Sequence, residues 1–195
     1  MTQLEIIKTR RSTRKYTSKP VEEAKLTQVI EAGRFAPTAS NKQQNHFIVI
    51  RNKDVLGKLK ELVKDTFAGM EEGDNSFINH AINRAKTTDY TFHYNAPVLI
   101  VLANDISYPN SYADCSCSAE NMMLMANELD LGSCWINQLR WLNDNEDVKA
   151  YLRTLGMGEN ETVFASVAVG YADTEDGLPV RTYAERTGNP VTYVD

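Results

Sequence analysis

Three runs of apolar residues, separated by stretches of helical periodicity, limit what this chain can become. HFIVI (46–50), APVLIVLAN (96–104) and TVFASVAVGYA (162–172) read as strands, the second and third buried, with SCWI as a shorter one before the last. Between them the period changes. Thr2 and Glu5 form a capping box ahead of a short helix carrying Leu4, Ile6 and Ile7. Ala24, Leu26, Val29, Ile30 and Ala32 recur near 3.6 residues over 21–35, where Pro37 closes the helix. Further helices are predicted over 54–67 with Asp54 as cap, over 112–132 with Gly132 as stop, and over 144–156 ending at Gly156. The stretch 69–95 is polar and irregular apart from a helix near 77–86. Helices alternating with apolar strands give a layered α+β or α/β architecture, and 195 residues at 42% hydrophobic suit one domain, 1–195, with a real core.

Charge excludes several functions. A net charge of −5 offers no general basic field for a nucleic-acid backbone or an anionic membrane, and no apolar run reaches the roughly 20 residues of a membrane span. The N-terminus lacks the order of a signal peptide, and Cys115, Cys117 and Cys134 are odd in number, so a cytoplasmic location is expected. Cys115 and Cys117 project to different sides of a helix and the histidines His46, His80 and His93 are scattered, so no metal site is expected.

Against the acidic background, Arg10, Arg11, Arg14 and Lys15 crowd around Ser12 and Thr13 in RRSTRKY. Two readings are open from composition: a solvated charged turn, or an anion site in which guanidinium forks, hydroxyls and backbone N–H groups cradle a phosphate. There is no Walker loop and no G-x-G-x-x-G. The helix 119–131, with Met122, Met123, Leu124, Met125, Leu129 and Leu131, carries more apolar surface than one packed face needs, which points to a subunit interface. The β-prone tail NPVTYVD reads as an extended arm able to add a strand to another sheet, with a frayed terminus as the alternative.

RRSTRKY, APTASNKQQNHFIVI and AENMMLMANELDLGSCWI, in that order and spacing, resemble the signature segments of the nitroreductase family of FMN-dependent oxidoreductases, and VAVGYA with a late arginine before VTYV resembles that family's C-terminal portion. The resemblance implies an α+β fold with a mostly antiparallel central sheet flanked by helices, in an intertwined homodimer that exchanges C-terminal strands. Two FMN sites would be built from both chains. It implies phosphate and ribityl contacts from Arg10, Arg11 and Ser12, and Arg14 near the pyrimidine edge of the flavin. Pro37, Thr38, Ala39 and Asn41 match a loop contributed by the partner subunit, although that loop read alone is an ordinary turn after a helix.

The family's following Gln-Pro-Trp is here Gln43, Gln44 and Asn45. Trp135, Ile136, Asn137 and Gln138 match the stretch beside the isoalloxazine, with a main-chain N–H of Asn137 or Gln138 toward flavin N5; without the resemblance Trp135 reads as core. Arg186 matches a phosphate-binding arginine, with Arg181 as its rival. His93, with Tyr90, Phe92 and Tyr94, falls where the family often places its substrate pocket, although each of them taken singly reads as loop or core packing. The implied activity is hydride transfer from NADH or NADPH through FMN to nitroaromatics, quinones or similar small acceptors by a ping-pong scheme. The alternatives within reach are a dehalogenase, a flavin-cleaving or azoline-oxidising relative, and a flavin-binding sensor without turnover.

Overall fold

The computed structural model describes residues 1–195. Its centre is a four-stranded antiparallel sheet of β1 (His46–Ile50), β2 (Val98–Asp105), β3 (Gly132–Ile136) and β4 (Glu161–Gly170), in the spatial order β1-β2-β4-β3. The expected α+β class and antiparallel sheet are what the chain forms.

The sheet is covered on both faces, which is why its central strands read as unbroken apolar runs. Because side chains alternate along a strand, Leu99, Val101 and Ala103 enter one core while Val98, Ile100 and Leu102 enter the other. A register shift between Leu102 and Ala103 against β4 lets Val163 and Ala168 join the first core while Ala165, Val167 and Val169 join the second. Leu99, Ile100, Val101 and Leu102 are all fully buried. Each contributes roughly 1.5–3 kcal/mol of hydrophobic stabilisation.

Helices α3 (Lys53–Ala68), α4 (Ser76–Ala85), α6 (Gln138–Trp141) and α7 (Glu146–Thr154) supply the first core. Its helical residues include Leu59, Val63 and Phe67 of α3, Ile82 of α4, Leu139 of α6 and Leu152 of α7. On the opposite face α2 (Glu23–Arg34) and α5 (Ser111–Glu128) pack together over the sheet, with α1 (Gln3–Thr9) against α5. The capping box of α1 forms as expected, Thr2 accepting from Glu5 N and Glu5 accepting from Thr2 N.

Two local expectations are corrected, and a third is narrowed. The cap of α3 is Asn52, whose Oδ1 accepts from Asp54 N and Val55 N, so Asp54 lies in the first turn. Helix α5 ends before Gly132. Its stop is a Schellman turn in which Asp130 takes φ 61°, Leu131 N donates to Ala126 O at 2.8 Å and Asp130 N to Asn127 O at 3.4 Å. An aspartate can hold the left-handed conformation that glycine usually supplies, so Gly132 is free to begin β3. Finally, the apolar surface of α5 is largely covered within the chain: Met122, Met123, Ala126 and Leu131 are buried and Met125 and Leu129 pack at the margin of the second core. Leu124 is half-buried and joins neither core.

No helix is long and apolar enough to cross a membrane. The chain after Ala172 forms neither helix nor strand, and Val191, Tyr193 and Val194 stand exposed.

Gly132 is needed for close approach. A Cβ built there would lie 2.6 Å from Thr13 Oγ1 and 2.8 Å from Thr13 Cβ. Gly132→Ala is expected to lower unfolding free energy by about 1–3 kcal/mol, measured by urea denaturation, because Thr13 is short and pinned by its backbone. Adding Thr13→Gly should restore much of the loss; equal loss in the double variant would show that the clash is not the cause.

Candidate functional site

The basic segment is held as a partial fifth strand. Arg10 caps α1, its N donating to Ile6 O at 3.1 Å, and the chain then runs along the open edge of β3. Thr13 N donates to Ser133 O at 2.9 Å, with Ser12 in a parallel bridge to Ser133. Farther on, Thr17 N donates to Tyr171 O at 2.9 Å and Asp173 N to Lys15 O at 3.1 Å. Gly132 and Gly170 face each other across β3 and β4 and leave room for this crossing. A Cβ on Gly170 would sit 3.0 Å from Tyr16 Cδ1 and 2.5 Å from Pro97 Cδ. Backbone pairing thus fixes Arg10 to Lys15 without using their side chains.

Those side chains are under-committed. Arg10 Nε lies 3.6 Å from Glu120 Oε1 on α5, and Arg11 Nη1 reaches Arg10 O at 3.5 Å. Arg11 Nη2 is buried with no hydrogen-bond partner. A charged donor so placed costs free energy until an acceptor meets it. Beside it, Arg14 enters a cavity of about 530 Å³ whose walls include Tyr16, His80, Arg84, Tyr90 and Gln138. Burial pushes the Tyr90 hydroxyl up to about 12 and the Tyr16 hydroxyl higher still, so both remain neutral at physiological pH. Tyr90 Oη has no hydrogen-bond partner either. At the rim Tyr94 and Asn95 take φ of 56° and 55°, the left-handed region that strains such residues.

The loop 37–45 forms a second site. Ser40, Asn41 and Gln43 have φ of 54°, 52° and 52°, a concentration of strain that surrounding hydrogen bonds must hold. Ala39 N donates to Asp114 Oδ1 at 3.2 Å, Tyr108 Oη donates to Ala39 O at 3.2 Å, and Gln43 N donates to Thr38 Oγ1 at 3.1 Å. Where a rigid apolar corner was absent from the sequence, Asn45 pegs the loop: its Nδ2 donates to Ser118 Oγ at 2.8 Å and its Oδ1 accepts from Asn104 Nδ2 at 2.8 Å. Thr38, Asn41 and Asn45 line a cavity of about 390 Å³ with Phe35 and Phe47; Pro37 and Ala39 are not among its walls. The two cavities share no residue.

The remaining candidates divide. Trp135 is half-buried against the second core, its Nε1 donating to Asn137 Oδ1 at 2.8 Å. The Ile136 side chain is buried in the first core, so only its backbone is free to meet a ligand. Asn137 precedes α6, and Gln138 lines the cavity of Arg14. Arg186 is exposed and makes no ion pair or hydrogen bond within the chain. Its rival Arg181 is engaged, with Nε donating to Asn127 Oδ1 at 3.2 Å and Nη2 to Asp130 Oδ1 at 2.6 Å. Cys115 is buried and Cys117 exposed, as their helical spacing requires.

His80 and Arg84 were missed by sequence reasoning, and α4 brings both to the wall opposite Arg14. The only available signal was their i, i+4 spacing on a short helix, which any solvated face also shows. His93 follows the core-packing reading. Its ring turns inward, stacks edge-on to Phe92 at 5.0 Å and leaves both nitrogens without partners, while Tyr90, Phe92 and Tyr94 do line the cavity.

Known proteins resemble this chain in sequence and in fold. The model of the Nitroreductase family matches residues 7–171. A protein of Archaeoglobus fulgidus that bears the name of an NADH dehydrogenase/NAD(P)H nitroreductase is 32% identical over 177 residues, covering 88% of this chain and 86% of the relative. Among solved structures, an FMN-bound nitroreductase from Bacteroides fragilis superposes with a TM-score of 0.87 at 34% identity, each chain covered in full (100%). A nitroreductase from Desulfitobacterium hafniense shares the fold with a TM-score of 0.82 at 24% identity, covering 99% of this chain and 98% of the other.

Burial, with Lys60 nearby, lowers the His93 imidazole from its ordinary 6.5 to about 4. The folded state then binds fewer protons than the unfolded state, so stability is intact above about pH 6.5 and is lost as pH falls toward about 4. Between pH 7 and pH 5 the chain should lose about 2 kcal/mol more than a His93→Phe variant, measured by urea denaturation at each pH. Parallel losses in both proteins would refute the assignment.

Proposed function

The chain belongs to the nitroreductase family, and from that premise we propose that it is an FMN-dependent NAD(P)H oxidoreductase. Nitroaromatics, quinones or similar electron-poor small molecules are its acceptors. The observation that carries this reading is the Arg11 guanidinium: a buried charged nitrogen without an acceptor, beside Arg10 and Ser12, on a segment fixed by main-chain pairing. Those groups suit a phosphate ester, and the adjoining cavity suits a flat, partly polar ring system, so the residues present fit FMN.

In this reading Arg10, Arg11 and Ser12 hold the phosphate and ribityl chain, and exposed Arg186 adds a further cation. When bound, FMN supplies hydride acceptance and release at its N5 atom. Arg14 would hold a fixed positive charge in the cavity, beside the ring, where a cation would favour its reduction. Trp135 and Ile136 position the chain at Asn137 and Gln138, whose main-chain N–H groups orient the ring without a titrating side chain. Thr38 and Asn41, on a loop shaped by Pro37 and Ala39, complete the site from a second copy of the chain, which accounts for two cavities that share no residue. The protein then works as a homodimer of 195-residue single-domain subunits, with the exposed tail crossing to its partner. Nicotinamide and acceptor occupy the same cavity in turn, giving ping-pong kinetics.

The flavin absorbance of the FMN-loaded protein should bleach on anaerobic addition of NADH or NADPH and return with a quinone. No NAD(P)H oxidation above free FMN, with any of several acceptors, would sink the proposal. Arg11→Ala should weaken FMN binding by about 1.5–3 kcal/mol, read by fluorescence titration, as loss of a charged hydrogen bond requires; unchanged affinity would remove Arg11 from the phosphate site.

A further inference from the structure

Arg181 is the late arginine that the chain uses internally, and its partners lead back to the basic segment. Asn127 near the end of α5 is 3% exposed. Its Nδ2 donates to Ile6 O at 3.0 Å and to Thr9 Oγ1 at 3.1 Å. Ile6 O is also the acceptor for Arg10 N, at 3.1 Å. Thr9 is itself buried and immediately precedes Arg10. The same amide therefore supports the last turn of α1, from which Arg10, Arg11 and Ser12 emerge.

The other end of the amide is held by the C-terminal segment. Arg181 Nε donates to Asn127 Oδ1 at 3.2 Å, and Nη2 donates to the Asn127 carbonyl and to Asp130 Oδ1, the latter at 2.6 Å. An amide can rotate by half a turn and exchange its donor and acceptor ends. With Arg181 in place only one orientation is satisfied, the one that aims the NH2 group at α1. Ile6 O already favours that orientation; what Arg181 adds is a donor for Asn127 Oδ1, and without it this buried oxygen is left unpaired and the support under Arg10 is weakened. The guanidinium also lies at the carboxyl end of α5, where a cation is favoured by the unpaired carbonyls.

We propose that Arg181 and Asn127 form a latch that couples docking of the C-terminal segment to loading of the phosphate site. Arg181 is in this account a positioning residue that never touches the phosphate. The proposal rests on the assignment of Arg10, Arg11 and Ser12 to the FMN phosphate. By linkage, whatever factor the docked segment adds to FMN affinity, FMN must add to docking of the segment.

The test is an FMN fluorescence titration of the wild-type chain, Arg181→Ala and Asp130→Asn, together with amide hydrogen exchange over residues 178–184. Arg181→Ala should weaken FMN binding by about 5- to 20-fold. Asp130→Asn keeps a residue tolerant of the positive φ and removes only the carboxylate, and should weaken binding in the same direction by about 2- to 5-fold. In wild type, FMN should slow exchange in the segment by a factor matching the Arg181→Ala loss, and in Arg181→Ala it should not. A direct phosphate contact by Arg181 instead predicts that Asp130→Asn leaves FMN binding unchanged or tightens it, and that result overturns the latch. Wild-type chain that binds FMN while both variants bind equally well, or whose segment exchanges alike with and without FMN, overturns it also. Wild-type chain that ignores FMN overturns the cofactor reading, and the coupling with it.

Discussion

The antiparallel pairing of β2 with β4, buried on both faces, is the constraint on which everything else is built. These two strands carry the apolar side chains that draw α2 and α5 to one side and α3, α4, α6 and α7 to the other. Because period-2 alternation sends neighbouring residues to opposite cores, neither layer can slide without exposing the other. The bulge between Leu102 and Ala103 is absorbed within this pairing, and Ala103 and Val163 beyond it remain buried.

Chemistry is confined to the margins of that sheet, where main-chain groups are still free to pair. The β3 edge takes the basic segment through Thr13 N to Ser133 O, and the continuation of β4 takes Tyr16 and Thr17. This leaves the arginine side chains unspent. A free edge would invite aggregation, so the same contacts that position the cations also close a hazardous strand. Crossing so near the sheet needs Gly132 and Gly170, which explains two small residues where strand propensity would favour branched ones.

The loop at 37–45 uses another device. Three non-glycine residues of loop 38–43 sit at positive φ, and the conformation persists because Asp114, Tyr108, Ser118 and Asn104 bond the loop or its Asn45 anchor from α5 and from the segments before it. A buried polar network of this kind specifies one geometry when every member is satisfied. Asn45 thus does by hydrogen bonding what an apolar corner does by packing. Arg181 shows the same economy at the far end of α5, where a cation caps the Asn127 carbonyl and pairs its side-chain oxygen.

Local signals with short-range causes were legible in the sequence. The capping box at Thr2, the apolar runs of the strands, the period of α2 and the basic cluster each depend on residues within a turn or two, and the structure keeps them. Segment order alone carried the family, because RRSTRKY, the 37–45 loop and the stretch after α5 sit at fixed spacings. Tertiary structure decided what local pattern leaves degenerate. Asp130, and not Gly132, stops α5, since either residue can reach positive φ and only the close passage of Thr13 says where glycine is indispensable. His93 turns into the core, His80 and Arg84 turn to the cavity, and Arg181 is engaged while Arg186 is free. Each of these outcomes depends on contacts between residues far apart in the chain. Such contacts select among side-chain directions that cost nearly the same locally, and composition and period carry no trace of the selection.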